Sequence, residues 1–234
     1  MACKQSKNSC VYFQQIIKKK NTKFLWEENK EQWQIVKRKT IKNLLISHFI
    51  IFPLILIIET NIGLKFKLSI QQFPSNLEIL IQIFFFMICE DFGFYWSHFI
   101  LHHPKLYQKY HKTHHEYNQP FSITAEYSHP LEYIFGNLLP SSLGIKILTG
   151  KVHLFTGFLW IIWRTYTTAE VHSGYEIPFS PVRVFPLSGG SYFHNFHHSN
   201  NTGSFGSYFT FWDNFMKTNK QFNNYMKNIF QKNE

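Results

Sequence analysis

The chain has 234 residues, enough for one domain with a sizeable core, and 19% of them are aromatic, a share that suits bilayer-facing or lipid-binding surfaces better than an average soluble domain. Its formal charge is +10, of which about +8 lies in residues 1–43. Cys3, Cys10 and Cys89 are scattered, without a CxxC pair, which argues against a disulfide framework and fits a reducing compartment.

Residues 1–43 form a basic arm. Because an apolar run follows it, an anionic membrane surface or cytoplasmic retention explains the charge better than nucleic acid does, and no nucleic-acid partner is expected. The polar stretch is too long for the n-region of a secretory signal. Tyr12, Phe13, Ile16 and Ile17 beside Lys18–Lys20 fit either a segment lying on an anionic leaflet or a disordered arm.

Four apolar segments come next. Leu44–Ile58, with its neighbours, reaches the roughly 20 residues needed to cross a bilayer, and Pro53 is placed to kink it. Leu77–Leu101 begins apolar and becomes polar towards its end. Leu131–Leu148, broken by Pro140 and Gly144, reads as a span or a re-entrant segment. The turn Thr149-Gly150-Lys151 joins it to Val152–Thr167 as a helical hairpin. From Ser173 the chain is polar. The expectation is an all-α integral membrane bundle of about four membrane-entering helices, residues 44–234, carrying a cytosolic histidine-rich di-metal cap. If the segments enter in pairs, both polar ends and the loop His102–Pro130 share one side, and the lysine-rich arm makes that side cytosolic. The rival is a soluble helical protein with buried core helices.

The chemistry is carried by histidines: His98 and His102 one turn apart, the triplet His111, His114 and His115, then His172, then the triplet His194, His197 and His198. On an α-helix, positions i, i+3 and i+4 share a face, and the last two are splayed by about 100°, so that adjacent histidines can serve different metals. Nine imidazoles exceed what a single zinc ion takes, and two metals account for the number. Imidazole does not by itself name the metal. His129 is an open case as a ligand, and Asp91, on the face of His98 and His102, is placed to hold a ligand's second N–H. The isolated His48, His103 and His153 read as surface or satisfied core residues. Whether Glu90 pairs with Arg164 stays open.

The boxes resemble those of the sterol desaturase and fatty acid hydroxylase superfamily. Tyr110–Glu116, Pro120-Phe121, Ala125-Glu126-Tyr127, His129-Pro130-Leu131-Glu132, His172-Ser173-Gly174-Tyr175 and Phe209–Asp213 resemble its 4-methylsterol monooxygenase branch. The resemblance implies a multi-pass endoplasmic reticulum enzyme with two irons, using O₂ and electrons from NAD(P)H through cytochrome b5 and its reductase. It oxidises a sterol C4 methyl group, and the nine histidines are its ligands. Phe193 and Asn195 depart from the third box, Ser204–Ser207 and Met216–Thr218 from the end of the pattern. Candidates to line a lipid pocket are Phe92, Phe94, Tyr95 and Trp96, and candidates to bond a sterol hydroxyl are Tyr127 and Tyr175. The rival enzymes are a sterol Δ5-desaturase and a fatty acid or sphingolipid hydroxylase. The rivals outside catalysis are a metal transporter, disfavoured because the boxes sit at span ends, and a degenerate lipid- or metal-binding protein.

Overall fold

The computed structural model describes residues 25–175, 177 and 180–231. Cys3, Cys10, the aromatic run around Tyr12, and Lys232 lie outside them. The architecture of the described residues is all-helical, as expected, with no strand beyond two isolated bridges.

Helix α1 (Lys30–Asn61) starts where the Asn29 side chain accepts the Gln32 N–H at 3.0 Å, satisfying a first-turn donor. It is basic in its first half and apolar in its second, and it runs through residue 43 without a break. The boundary drawn there on charge therefore falls inside one helix. The arm's last residues pack on the histidine-bearing loop: Thr40 shares a hydrogen bond of 2.5 Å with Tyr117, and the Asn43 amide donates to the Ser128 carbonyl at 2.8 Å. Pro53 cannot donate to the preceding turn. The helix passes it by widening into a π-turn over Ser47–Ile51, where Phe52 N–H reaches the Ser47 carbonyl.

Helix α2 (Asn76–Leu101) is capped by Ser75, which accepts the Glu78 N–H at 3.2 Å. Leu77, Leu80, Ile81, Phe84, Ile88 and Phe92 recur every three or four residues and form an exposed apolar stripe. The opposite face buries Phe86, Met87, Glu90, Asp91, Tyr95 and His98. Helix α3 (residues 130–147) contains a second π-turn, Tyr133–Leu138, just before Pro140. Helices α2 and α3 meet at Gly144, where a Cβ would lie 2.7 Å from the Phe86 ring and 3.0 Å from its Cα. Helix α4 (Leu154–Val171) follows a cap in which His153 Nδ1 accepts the Phe155 N–H at 3.1 Å. Phe86, Met87, Ile145, Val152, Trp160 and Tyr208 form the core between these helices. Shorter helices follow, among them α5 (Gly190–Asn200) and α6 (Lys220–Gln231).

All four apolar segments are thus helical. By length and apolarity, α1 is the helix among the described residues that meets the requirement for crossing a membrane. The expected count of four membrane-entering helices is not established by that criterion. Glu78, Glu90, Asp91 and Arg164 place charge on α2 and α4.

Candidate metal centre

The C-terminal ends of α2 and α4, the loop after α2, and α5 meet at one end of the bundle and bring the nine box histidines together. They separate into two groups: His98, His102, His111, His115 and His197, and His114, His172, His194 and His198. Within each group one ring nitrogen per residue lies within 4.8 Å of all the others. Each triplet divides in the same way but in the opposite sense. His111 and His115 join the first group and His114 the second, whereas His194 and His198 join the second and His197 the first. The second triplet is α-helical; His111–Glu116 is wound as a tighter 3₁₀ turn instead of the expected α-helix.

Five of the outward nitrogens are held by the protein, whereas Nδ1 of His115 and of His198 is buried without a hydrogen-bond partner among the described residues. Nδ1 of His98 bonds the Phe205 carbonyl at 3.0 Å, His114 the Tyr127 carbonyl at 3.2 Å, His172 the Thr168 carbonyl at 2.8 Å and His197 the Gly203 carbonyl at 2.6 Å. His111 Nδ1 lies 2.7 Å from the Glu132 carboxylate. A carbonyl or carboxylate only accepts, so each of these Nδ1 atoms carries the proton and leaves Nε2 as a bare acceptor. They face ring nitrogens of their own group, among them those of histidines whose tautomer no neighbouring carbonyl fixes. His111 Nε2 is 3.0 Å from Nε2 of both His102 and His115, and His197 Nε2 is 3.2 Å from both of the same atoms. In the second group, His194 Nε2 is 2.8 Å from that of His172 and 3.1 Å from that of His198. The buried Nε2 of His98 has no hydrogen-bond partner among the described residues.

Burial, reinforced by the neighbouring imidazoles, holds His102 and His172 down at about 3, and burial alone does the same for His111. It also lowers His114, His115, His194, His197 and His198, so protonation does not relieve the converging lone pairs at neutral pH. A cation does. Two imidazole nitrogens about 2.1 Å from one ion and at right angles to each other lie about 3.0 Å apart, close to the spacing seen here. The donor set fits one ion per group.

The supporting layer differs from expectation. Asp91 touches no histidine; its Oδ1 accepts the N–H groups of Tyr208 and Phe209, both at 2.9 Å. Asp213 accepts the N–H groups of Phe205 and Gly206 at 3.0 and 2.7 Å. The two aspartates pin the loop whose Gly203 and Phe205 carbonyls orient His197 and His98. At Gly203, φ is +59° and a Cβ would meet the Thr218 carbonyl oxygen at 2.1 Å, so the loop requires glycine there. His129 belongs to neither group and caps Leu131 N–H at 3.1 Å. His103 is exposed, and His48 lies 3.1 Å from Glu126. Reading the sequence missed Glu132, although the His129-Pro130-Leu131-Glu132 motif had been singled out.

A cavity of about 40 Å³ lies against His98, His111, His114, His172 and His194. Phe94 lines it, whereas Phe92 is exposed, Tyr95 is buried with its hydroxyl 3.2 Å from Thr218, and Trp96 packs on Trp212. The Tyr127 hydroxyl is bound to Glu116 at 2.7 Å and Tyr175 is 40% exposed; neither borders this cavity. Phe193 and Asn195, the departures in the third box, are buried beside the histidines without joining them.

The all-helical scaffold thus gathers nine imidazoles into two groups, each suited to a metal ion. The chain belongs to the fatty acid hydroxylase family, whose profile matches residues 83–218. Within it, the chain is 37% identical over 201 residues to methylsterol monooxygenase 1 of Danio rerio, covering 85% of this chain and 65% of the relative. It is also 37% identical to methylsterol monooxygenase 2-2 of Arabidopsis thaliana, over 82% of this chain and 73% of the relative. A very-long-chain aldehyde decarbonylase of Oryza sativa subsp. indica is 40% identical over 169 residues, 69% of this chain and 60% of the relative. The chain therefore spans about three fifths of the length of the first curated relatives. No solved structure matches.

Proposed function

We propose that this chain is an O₂-dependent di-iron monooxygenase that oxidises a C4 methyl group of 4-methylsterols. The observation that carries the proposal is the two groups of converging ring nitrogens, five of them backed by a hydrogen-bonded Nδ1, with members of both groups lining one small cavity. Similarity to methylsterol monooxygenases over more than four fifths of the chain supports the substrate.

Iron in the two groups would supply the redox chemistry needed to activate O₂, which zinc cannot. The nine histidines hold the ions, and Glu132 fixes the tautomer and orientation of His111. The small cavity receives the reacting carbon and leaves little space for water. In a 4,4-dimethylsterol the carbon that bears the methyl group carries no hydrogen to lose, so repeated oxygen insertion to alcohol, aldehyde and carboxylate suits the methyl better than desaturation. The electrons come from NAD(P)H by way of cytochrome b5 and its reductase.

Residues 44–234 act as the catalytic unit in the endoplasmic reticulum membrane, multi-pass, with the basic N-terminus and all boxes cytosolic. Exposed apolar residues on α1, α2, α3 and α4, among them Phe49, Phe84, Phe135 and Phe158, support embedding in lipid. A glycosylation tag near Asn118 stays unmodified in this topology; its modification overturns the orientation.

The 40% identity to an aldehyde decarbonylase supports a second reading, in which the substrate is a long-chain aldehyde. Expression in cells lacking their own 4-methylsterol oxidase, with cytochrome b5 present, separates the two. Clearance of 4,4-dimethylsterols is expected. Their persistence, with new alkanes, hydroxylated fatty acids or Δ5-sterols, overturns the sterol reading.

A further inference from the structure

A second buried polar cluster adjoins the histidines. Arg164 on α4 donates through Nε to Glu90 Oε1 at 3.1 Å, through Nη1 to Glu126, and through Nη2 to Asn137 Oδ1 at 2.7 Å. The Tyr208 hydroxyl donates to the other Glu90 oxygen at 3.1 Å, and His48 lies 3.1 Å from Glu126. Both π-turns feed this cluster, His48 from Ser47–Ile51 and Asn137 from Tyr133–Leu138. Single π-turns inside α-helices concentrate at functional sites, because the extra residue redirects side chains at a cost in helix geometry.

Arg164 borders two cavities. One is the chamber of about 40 Å³ against the histidines. The other, about 200 Å³, lies between α1, α3 and α4 and is walled chiefly by apolar side chains such as Phe52, Ile55, Leu138 and Phe158. A guanidinium has five N–H donors. Three are used, so two have no acceptor among the described residues, and the Asn137 amide nitrogen donates to none of them. The wall between the cavities is therefore rich in donors that lack an acceptor.

We propose that Arg164, with Asn137, is a specificity-determining pair that binds a hydroxyl or carbonyl oxygen of the lipid substrate. The lipid body lies in and beyond the larger cavity, and the carbon to be oxidised enters the histidine chamber. At about 10–15 Å³ for each water-sized group, the chamber admits only a few non-hydrogen atoms. The bound oxygen and the oxidised carbon thus lie within a few bonds of each other. The substrate class is a lipid oxidised beside its own polar oxygen, not one oxidised in mid-chain. The inference rests on the proposed function in taking the histidine side as the reactive end. A sterol with a hydroxyl next to its methyl-bearing carbon and a long-chain aldehyde both meet the condition.

The test uses the full chain in phosphatidylcholine nanodiscs and two tritiated probe pairs: a 4,4-dimethylsterol with its 3-deoxy analogue, and octadecanal with octadecane. Binding is read by scintillation proximity. The wild type is expected to favour the oxygen-bearing member of at least one pair by about tenfold or more. The triple variant Glu90→Gln, Glu126→Gln, Arg164→Met removes the three buried charges together and takes a carboxylate partner only from the exposed His48. It is expected to keep its metal content and to melt far closer to the wild type than Arg164→Met alone, while binding both members of a pair equally. Arg164→Lys keeps the charge but loses the forked donors, and is expected to reduce the preference at least about threefold. Equal binding within both pairs by the wild type overturns the assignment, as does an unchanged preference in either variant that folds. Preference within the aldehyde pair alone retains the assignment and overturns the sterol reading instead.

Discussion

Two buried polar clusters lie side by side in this protein, and they solve the problem of burial differently. The histidine cluster is made of imidazoles that burial keeps neutral and whose ring nitrogens converge at 2.8–3.2 Å, a donor set suited to a cation. The Arg164 cluster contains its own cation between two carboxylates, with His48 3.1 Å from one of them. The first is a set of donors suited to an ion from outside, whereas the second carries its own cation and exposes surplus donors. Removing a member from each should therefore have different consequences.

The largest expected effect is on the first cluster. His111→Ala or His197→Ala should abolish turnover and lower the bound metal, measured by elemental analysis, from two equivalents towards one. Full metal loading in both variants would break the comparison. Next, Arg164→Met alone strands two buried carboxylates and should cost about 3–5 kcal/mol, read by thermal or denaturant unfolding of the metal-loaded protein. The triple variant with Glu90→Gln and Glu126→Gln should recover most of that loss. If it does not, the cluster contributes through packing and not through charge.

Glu132→Gln tests the layer behind the ligands. The carboxylate increases the basicity of His111 and fixes its tautomer, so its loss should weaken metal binding by about 10–100-fold in a chelator competition with little change in fold. Asp213→Asn should act more weakly and at a greater distance, because it only loosens the loop that presents the Gly203 and Phe205 carbonyls. A change in metal affinity larger than that of Glu132→Gln would reverse their order. The smallest effects are expected at His129 and His153, each of which caps a helix N-terminus. Alanine there should cost about 1 kcal/mol of stability and leave the metal content unchanged.

Much of this was legible in the chain itself. Histidines at i, i+3 and i+4, twice, identify a multi-imidazole site because the spacing brings them to one side of a turn whether it is wound as an α-helix or, at His111–Glu116, as a 3₁₀ turn. The four apolar runs become helices for an equally local reason, since an unbroken run of apolar residues can hide its backbone only in intrahelical hydrogen bonds. Leu131–Leu148 was readable despite Pro140, because a π-turn absorbs the disruption within the same helix.

What only the tertiary structure decided is how residues distant in sequence divide their work. Asp91 shares a helical face with His98, yet its carboxylate is taken by the N–H groups of Tyr208 and Phe209, more than a hundred residues away. Glu90, Glu126, Asn137 and Arg164 follow no periodic pattern, and the sequence leaves open whether Glu90 pairs with Arg164 and gives Glu126 only as part of a motif. They become a cluster because a buried guanidinium needs acceptors from every direction, and α2, α3 and the loop between them supply those from separate parts of the chain. Spacing along one helix dictates which ligands share a face; the packing of helices against one another decides which nitrogens meet, which carbonyls hold them, and where the polar wall between the two cavities stands.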